Sequence, residues 1–163
     1  MPGVMVVGQP RPKGSMHCIG PRKCRSCDAV VIHNVLPDDP NKTGAEWREK
    51  LERAGRDLKR RNGFTFEGAV SVDATFVFDR PAAAAKRLFP HVRSAGDLDK
   101  LTRMLLDAFT TARVWTDDSL VCELNVRKHY PGMIPELAQA GVVVRVALMV
   151  DADNMLPLEG GAR

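Results

Sequence analysis

Two acid pairs, Asp97/Asp99 and Asp117/Asp118, bracket one apolar-periodic run of the chain. Gly96-Asp97-Leu98-Asp99-Lys100-Leu101 opens the run, and Val114-Trp115-Thr116-Asp117-Asp118 follows it. Like charges held close together are costly unless protons or a metal neutralise them. If the start of the run meets the loop beyond its end, four carboxylates converge. The counter-ion expected there is Mg²⁺, a hard cation that takes oxygen ligands, keeps several waters and engages phosphates; Mn²⁺ accepts the same donors. Such a centre orients a scissile phosphate, polarises a water and neutralises charge in the transition state. Arg103, one turn beyond Asp99, either pairs with that acid or reaches the phosphate. Lys100 is a second cation, and Asp107 either orients Arg103 or is plain surface. The bland alternative makes Asp97 an N-cap and Asp117-Asp118 a turn before a strand.

These acids need elements to position them. Leu98, Leu101, Leu105 and Phe109 recur at three and four residues, which predicts a helix from Asp97 or Leu98 to about Phe109. A first helix is expected from Thr43 to about Arg60. Thr43 and Glu46 have capping-box spacing, and Trp47, Leu51, Ala54 and Leu58 form one stripe. Gly55 weakens it slightly. Its Lys59-Arg60-Arg61 end suits either a backbone phosphate or the helix C-terminus itself. Strands are expected at Val4–Val7, at Ala69–Phe78 with alternating apolar residues, at Leu120–Tyr130, and at Gly141–Val150 as a candidate central strand.

Between the first strand and the first helix, residues 9–41 read as a long basic loop containing cysteines. Arg11, Lys13, Arg22, Lys23 and Arg25 make it positive, and the segment 29–32 could form a strand within it. Cys24-x2-Cys27 has the spacing of half a zinc site, which Cys18, His17 or His33 would complete; the alternative is unrelated thiols in a loop. The chain of 163 residues, 44% of them apolar, suits one domain over 1–151 with a frayed tail at 152–163. A formal charge of +4 is compatible with nucleic acid without establishing it. The N-terminus lacks a basic region before its short apolar run, and no stretch approaches the roughly 20 apolar residues of a membrane helix. A cytoplasmic protein with reduced cysteines is expected.

Asp97-Leu98-Asp99-Lys100-Leu101-Thr102-Arg103, the apolar helix, and Val114-Trp115-Thr116-Asp117-Asp118-Ser119-Leu120-Val121 together resemble the RusA family of Holliday junction resolvases, found largely in phages and prophages. That family shows Asp-x-Asp-Asn-x-x-Lys, an apolar helix, Trp-x-Asp-Asp-x-x-Val and a later lysine, a place that Lys128 fits. Gly8-Gln9-Pro10-Arg11-Pro12-Lys13-Gly14 and Trp47-Arg48 are also similar to family segments. The resemblance implies an α+β subunit, with a mixed β-sheet packed against two main helices, in a homodimer. It implies Asp97, Asp99 and Asp118 as metal-binding acids with Asp117 beside them, and Arg103 among the catalytic residues. Lys13, Arg11, Lys100 and Lys128 become candidates for contact with branched DNA. The implied reaction is paired nicking of a four-way junction in recombination and repair, leaving 5′-phosphates. Two positions depart from the pattern, since the family Asn is Lys100 here and the family Lys is Arg103. The departures support one alternative, a non-catalytic protein that binds junction or duplex DNA. A third reading, an enzyme for small phosphorylated substrates, finds no P-loop in the sequence and leaves the basic loops without a role.

Overall fold

The computed structural model describes residues 2–14, 17–23, 26–27, 29–35 and 43–149. The expected tail at 152–163 lies outside the described residues. The elements are β1 (Gly3–Val7), β2 (His17–Lys23), β3 (Val30–Val35), α1 (Thr43–Asn62), β4 (Val70–Val77), α2 (Leu98–Thr111), β5 (Val121–His129) and β6 (Gly141–Leu148). One four-stranded sheet has the order β1-β6-β4-β5. β6 runs antiparallel to both β1 and β4, whereas β4 and β5 are parallel. A parallel pair needs a crossover, and α2 supplies it. The architecture is therefore α+β, a mixed sheet with two main helices.

The long loop expected at 9–41 is not all loop. β2 and β3 pair antiparallel as a separate hairpin, with Arg22 opposite Val31. The segment 29–32 is thus largely strand, but its partner is the Cys18-containing segment rather than the main sheet. Sequence periodicity failed there because Gly20 and Pro21 interrupt the run, and the pairing carries a register shift between Cys18 and Pro21.

Both helices cover one face of the sheet. Val72, Ala74 and Phe76 of β4 alternate into that layer with Val142, Val144 and Val146 of β6. They meet Trp47, Leu51 and Leu58 of α1 and Leu101, Leu105, Ala108 and Phe109 of α2. All three β4 residues and all three β6 residues are fully buried, as the inner position of both strands requires. β5 is an edge strand, and Leu124 on it is 45% exposed. The other edge, β1, is capped by cations from α1. Pro2 O accepts from Val146 N of β6 and Gly8 N donates to Ala140 O just before β6, so Gly3, Met5 and Val7 direct their backbone groups outward. Arg61 Nη2 donates to Gly3 O at 3.0 Å and Lys50 Nζ to Val7 O at 3.4 Å. Charged side chains on a free edge discourage pairing with another chain. Arg61 therefore serves the sheet edge, and Arg60 pairs with Asp57 at 2.9 Å.

Helix α2 ends in a Schellman motif. Val114 N bonds to Phe109 O and Arg113 N to Thr110 O, both at 3.0 Å. The left-handed position, usually glycine, is Arg113 at φ 60°. Where the two helices cross, Gly55 replaces the side chain that would fill the gap. A Cβ there would lie 2.7 Å from Ala112 Cβ and 3.2 Å from Val114 Cγ2.

Two substitutions should move stability in opposite directions. Gly55→Ala has the better helix propensity, yet should destabilise by about 1–3 kcal/mol, because both neighbours are fixed in a packed layer. Arg113→Gly should stabilise by about 0.5–1 kcal/mol by relieving the left-handed backbone. Urea unfolding midpoints measure both. A more stable Gly55→Ala protein would show that the helices can separate at no cost.

Candidate active site

The buried stripe of α2 determines which residues emerge on its other side. With Leu101, Leu105 and Phe109 fully buried, Asp99 and Arg103 are exposed one turn apart. Across from them, β5 brings Leu124 and Val126, and the turn before β5 brings Asp118. Asp99, Arg103 and Asp118 line one groove of about 530 Å³, floored by Leu98, Thr102 and Leu106. Among the described residues, none of these three charged groups has an ion-pair partner. The Asp99–Arg103 pair that i,i+4 spacing allows is not formed.

The other two acids are engaged elsewhere. Asp97 is the N-cap residue of α2, with extended backbone at φ −80° and ψ 141°, but its side chain caps nothing. It pairs instead with Lys100 Nζ at 3.1 Å. The Asp117 side chain accepts a hydrogen bond from Ser119 N at 2.9 Å, capping a single 3₁₀ turn at Asp118–Leu120. The Ser119 hydroxyl and, after it, the Ser119 backbone N–H hold the Asp117 carboxyl below its ordinary pKa. Of the four carboxylates expected to converge, two share the groove. The segment after α2 returns along the helix and brings Asp118 to Asp99, while Asp97 is drawn to Lys100 and Asp117 to Ser119.

Trp115 fixes the second acid pair. It is fully buried, tilted against Phe109 with ring centroids 5.6 Å apart, and donates from Nε1 to Thr110 Oγ1 at 2.8 Å. Phe66 N bonds to Val114 O at 2.8 Å, tying the same turn to the chain before β4. The acids that follow are therefore carried by a core anchor.

A strap from β1 fixes the first pair. Lys13 N donates to Lys100 O at 3.1 Å, and Lys13 Nζ forms an ion pair with Asp107. Pro12 lies against Gly96, whose φ is +68° and where a Cβ would meet Pro12 Cγ at 2.8 Å. Lys128 Nζ donates to Gly96 O at 2.9 Å, directly before Asp97. Three of the four predicted DNA contacts thus have intramolecular partners: Lys13 on Asp107, Lys100 on Asp97 and Lys128 on Gly96. Arg11 stays exposed. The positioning roles of Lys13 and Lys128 were missed in the sequence, because their partners lie far away along the chain.

The zinc reading falls mostly beyond what is described. Cys24 lies outside the described residues, as do the side chains of Cys18 and His33. By backbone register Cys18 faces Asn34 across the hairpin, and Cys27 is a free, exposed thiol. Among the described residues, no group of three His, Cys, Asp or Glu side chains is close enough to hold a metal as it stands. The donor set in the groove nevertheless fits Mg²⁺. Two unpaired carboxylates beside open solvent suit an ion that fills most of its octahedron with water and phosphate oxygens.

His129 ends β5 with its Nδ1 buried and without a partner among the described residues. Burial, aided by the charge of Arg127, holds its pKa below the ordinary 6.5. The unfolded chain then takes up the proton first, so stability is lost as pH falls through the unfolded value. The melting temperature should drop between about pH 7.5 and 5.5, and His129→Gln should remove part of that drop. Identical drops in both proteins would show that His129 contributes nothing to it.

A search of curated proteins returns no match to this chain. A family model described as endodeoxyribonuclease RusA matches residues 37–146, more than half of the chain. The matched span contains α1, α2, the groove acids and Lys128. β1, its Pro12–Lys13 strap and the β2–β3 hairpin precede it. The buried helix that exposes Asp99 and Arg103, the tryptophan-anchored Asp118 and the family match agree, and the chain belongs to the RusA endodeoxyribonuclease family.

Proposed function

We propose that this chain is a Mg²⁺-dependent endonuclease that resolves four-way DNA junctions by paired phosphodiester hydrolysis. The observation that carries the reading is the groove itself, where Asp99 and Asp118 lie with Arg103 and, among the described residues, have no ion-pair partner. Asp99 and Asp118 would hold the metal, with Asp97 able to join them if Lys100 releases it. The bound ion would supply a polarised water and charge neutralisation at the phosphate. Arg103 presents a planar, permanently charged guanidinium that can grip two phosphate oxygens. Leu98, Leu106, Leu124 and Val126 make the groove partly apolar, which strengthens each of those charge interactions. The remaining ligands are waters, phosphate oxygens or a carboxylate from a second copy. A homodimer suits the substrate, because two symmetric nicks call for two symmetric sites.

One observation favours the second reading, a non-catalytic DNA-binding protein. Lys100 stands where the family has asparagine, and it already neutralises Asp97. If that pair persists on DNA, the groove keeps only two acids. The two readings differ in what they predict for metal.

The test uses an end-labelled synthetic four-way junction and a duplex of the same sequence, each with and without Mg²⁺. Paired nicks near the branch should appear only in the junction and only with metal. Asp99→Asn and Asp118→Asn should each lower the nicking rate by on the order of 10²–10³-fold while leaving most junction binding intact. Arg103→Ala should lower it similarly. Full nicking by Asp99→Asn would remove that residue from the site. Salt-sensitive binding with no nicks in Mg²⁺ or Mn²⁺ would establish the non-catalytic reading instead.

A further inference from the structure

A second cavity, of about 330 Å³, lies beyond the carboxyl ends of β1, β4 and β5. Its lining starts with the residues that follow those strands: Gln9 after β1, Phe78 after β4 and Tyr130 after β5. β6 is antiparallel to both β1 and β4, and β5 is parallel to β4, so β1, β4 and β5 all end at this edge of the sheet. The volume is at the small end of the range for ligand pockets. Phe78, Pro81, Pro90 and Val92 give it flat apolar walls.

Two buried polar atoms in this lining have no partner among the described residues, Gln9 Oε1 and the Tyr130 hydroxyl. Tyr130 is fully buried. Buried polar atoms are normally satisfied, and one left alone calls for a water or a ligand. The tyrosine is also held rigid. Arg80 stacks over its ring at 4.6 Å from the centroid. The same guanidinium donates to Ala85 O and Arg87 O, at 3.1 and 2.8 Å, so the loop that walls the cavity is pinned. Two exposed charges stand at the lining: Asp79, a further acceptor, and Arg11, a cation suited to a phosphate.

The cavity adjoins the acid site through the chain itself. Ala95 lines it, and Asp97 follows two residues later, within about 7 Å. We propose that this cavity takes one unstacked nucleobase of the DNA strand bound at the acid groove, and favours a base with an exocyclic amino group. The source of the base rests on the nuclease reading. The chemistry does not. A flat ring fits between apolar walls, an amino group satisfies Gln9 Oε1 with Asp79 as a second acceptor, and a ring nitrogen or carbonyl accepts from the Tyr130 hydroxyl. A base beside a branch point has already lost part of its stacking, so extruding it costs least there. Cutting would then depend on sequence through a pocket separate from the acids.

Two measurements test this on the full chain. First, dAMP, dCMP, dGMP and dTMP are titrated into labelled protein and followed by amide NMR. Amides at Gln9, Phe78 and Tyr130 should shift with a Kd of order 1–10 mM for the three amino-bearing nucleotides and more weakly for dTMP. Tyr130→Phe, which keeps the ring, should weaken binding about tenfold while leaving the melting temperature near wild type. Second, the positions of junction nicks are compared across sequences. Tyr130→Phe should level the site preference, so that the ratio of nicking at the preferred site to nicking elsewhere falls toward one. No nucleotide-dependent shift at these amides would overturn the proposal and leave water as the occupant, even if the junction is nicked normally. Nucleotide binding without any nicking would sustain the pocket and defeat the nuclease reading.

Discussion

The burial of one face of α2 is the constraint on which the rest depends. Leu101, Leu105, Ala108 and Phe109 are fully buried against the sheet and α1. Each large side chain of this kind contributes about 1.5–3 kcal/mol on burial. Turning the helix by one residue, about 100°, would expose part of that stripe and cost several kcal/mol. The direction in which Asp99 and Arg103 point is therefore set by the core and not by the groove. The second acid pair is also held from the core, since fully buried Trp115 precedes it by two residues. A chemistry that needs oxygen atoms placed within a few tenths of an ångström gains from anchors of this sort.

Electrostatics then sorts the acids. Three of the five along this region have an assigned neighbour and the other two share a groove. Asp107 is satisfied by Lys13, Asp97 by Lys100 and Asp117 by the backbone of Ser119. Among the described residues, Asp99 and Asp118 are the two of these five without such a partner. Half-exposed ion pairs are individually weak, so Lys13–Asp107 is better understood as a register pin than as a source of stability. It acts with Lys13 N on Lys100 O and Pro12 on Gly96 to hold the strap across the helix start.

Much of this was legible in the sequence. The α2 stripe follows from the spacing of Leu98, Leu101, Leu105 and Phe109, and the alternation in β4 from Val70, Val72, Ala74 and Phe76. Both are local periodicities imposed by burial on one side. The acids were legible as types and spacing. Their partition was not, because it depends on Lys100 turning toward Asp97 and on Asp117 choosing a backbone donor, and neither follows from periodicity. The strap was invisible for a different reason: Lys13 and Asp107 are 94 residues apart. The β2–β3 hairpin escaped notice because Pro21 hides the strand pattern of its first half. Gly55 was read as a weakness of α1, whereas its missing side chain is what lets the two helices touch.

Charge counting shows why the groove needs a divalent cation to handle a phosphodiester. Two carboxylates and one guanidinium give the groove a formal charge of −1. A phosphodiester brings another −1, and like charges in a partly apolar groove repel more strongly than in water. Arg103 alone offsets only one of the two acids. A +2 ion brings acids, guanidinium and phosphate together to neutrality, and a monovalent ion leaves a net negative charge where more is about to develop. Where the family pattern has a lysine, Arg103 keeps one positive charge in this sum and changes its shape from a point charge to a planar fork, which matches two oxygens of a phosphate at once.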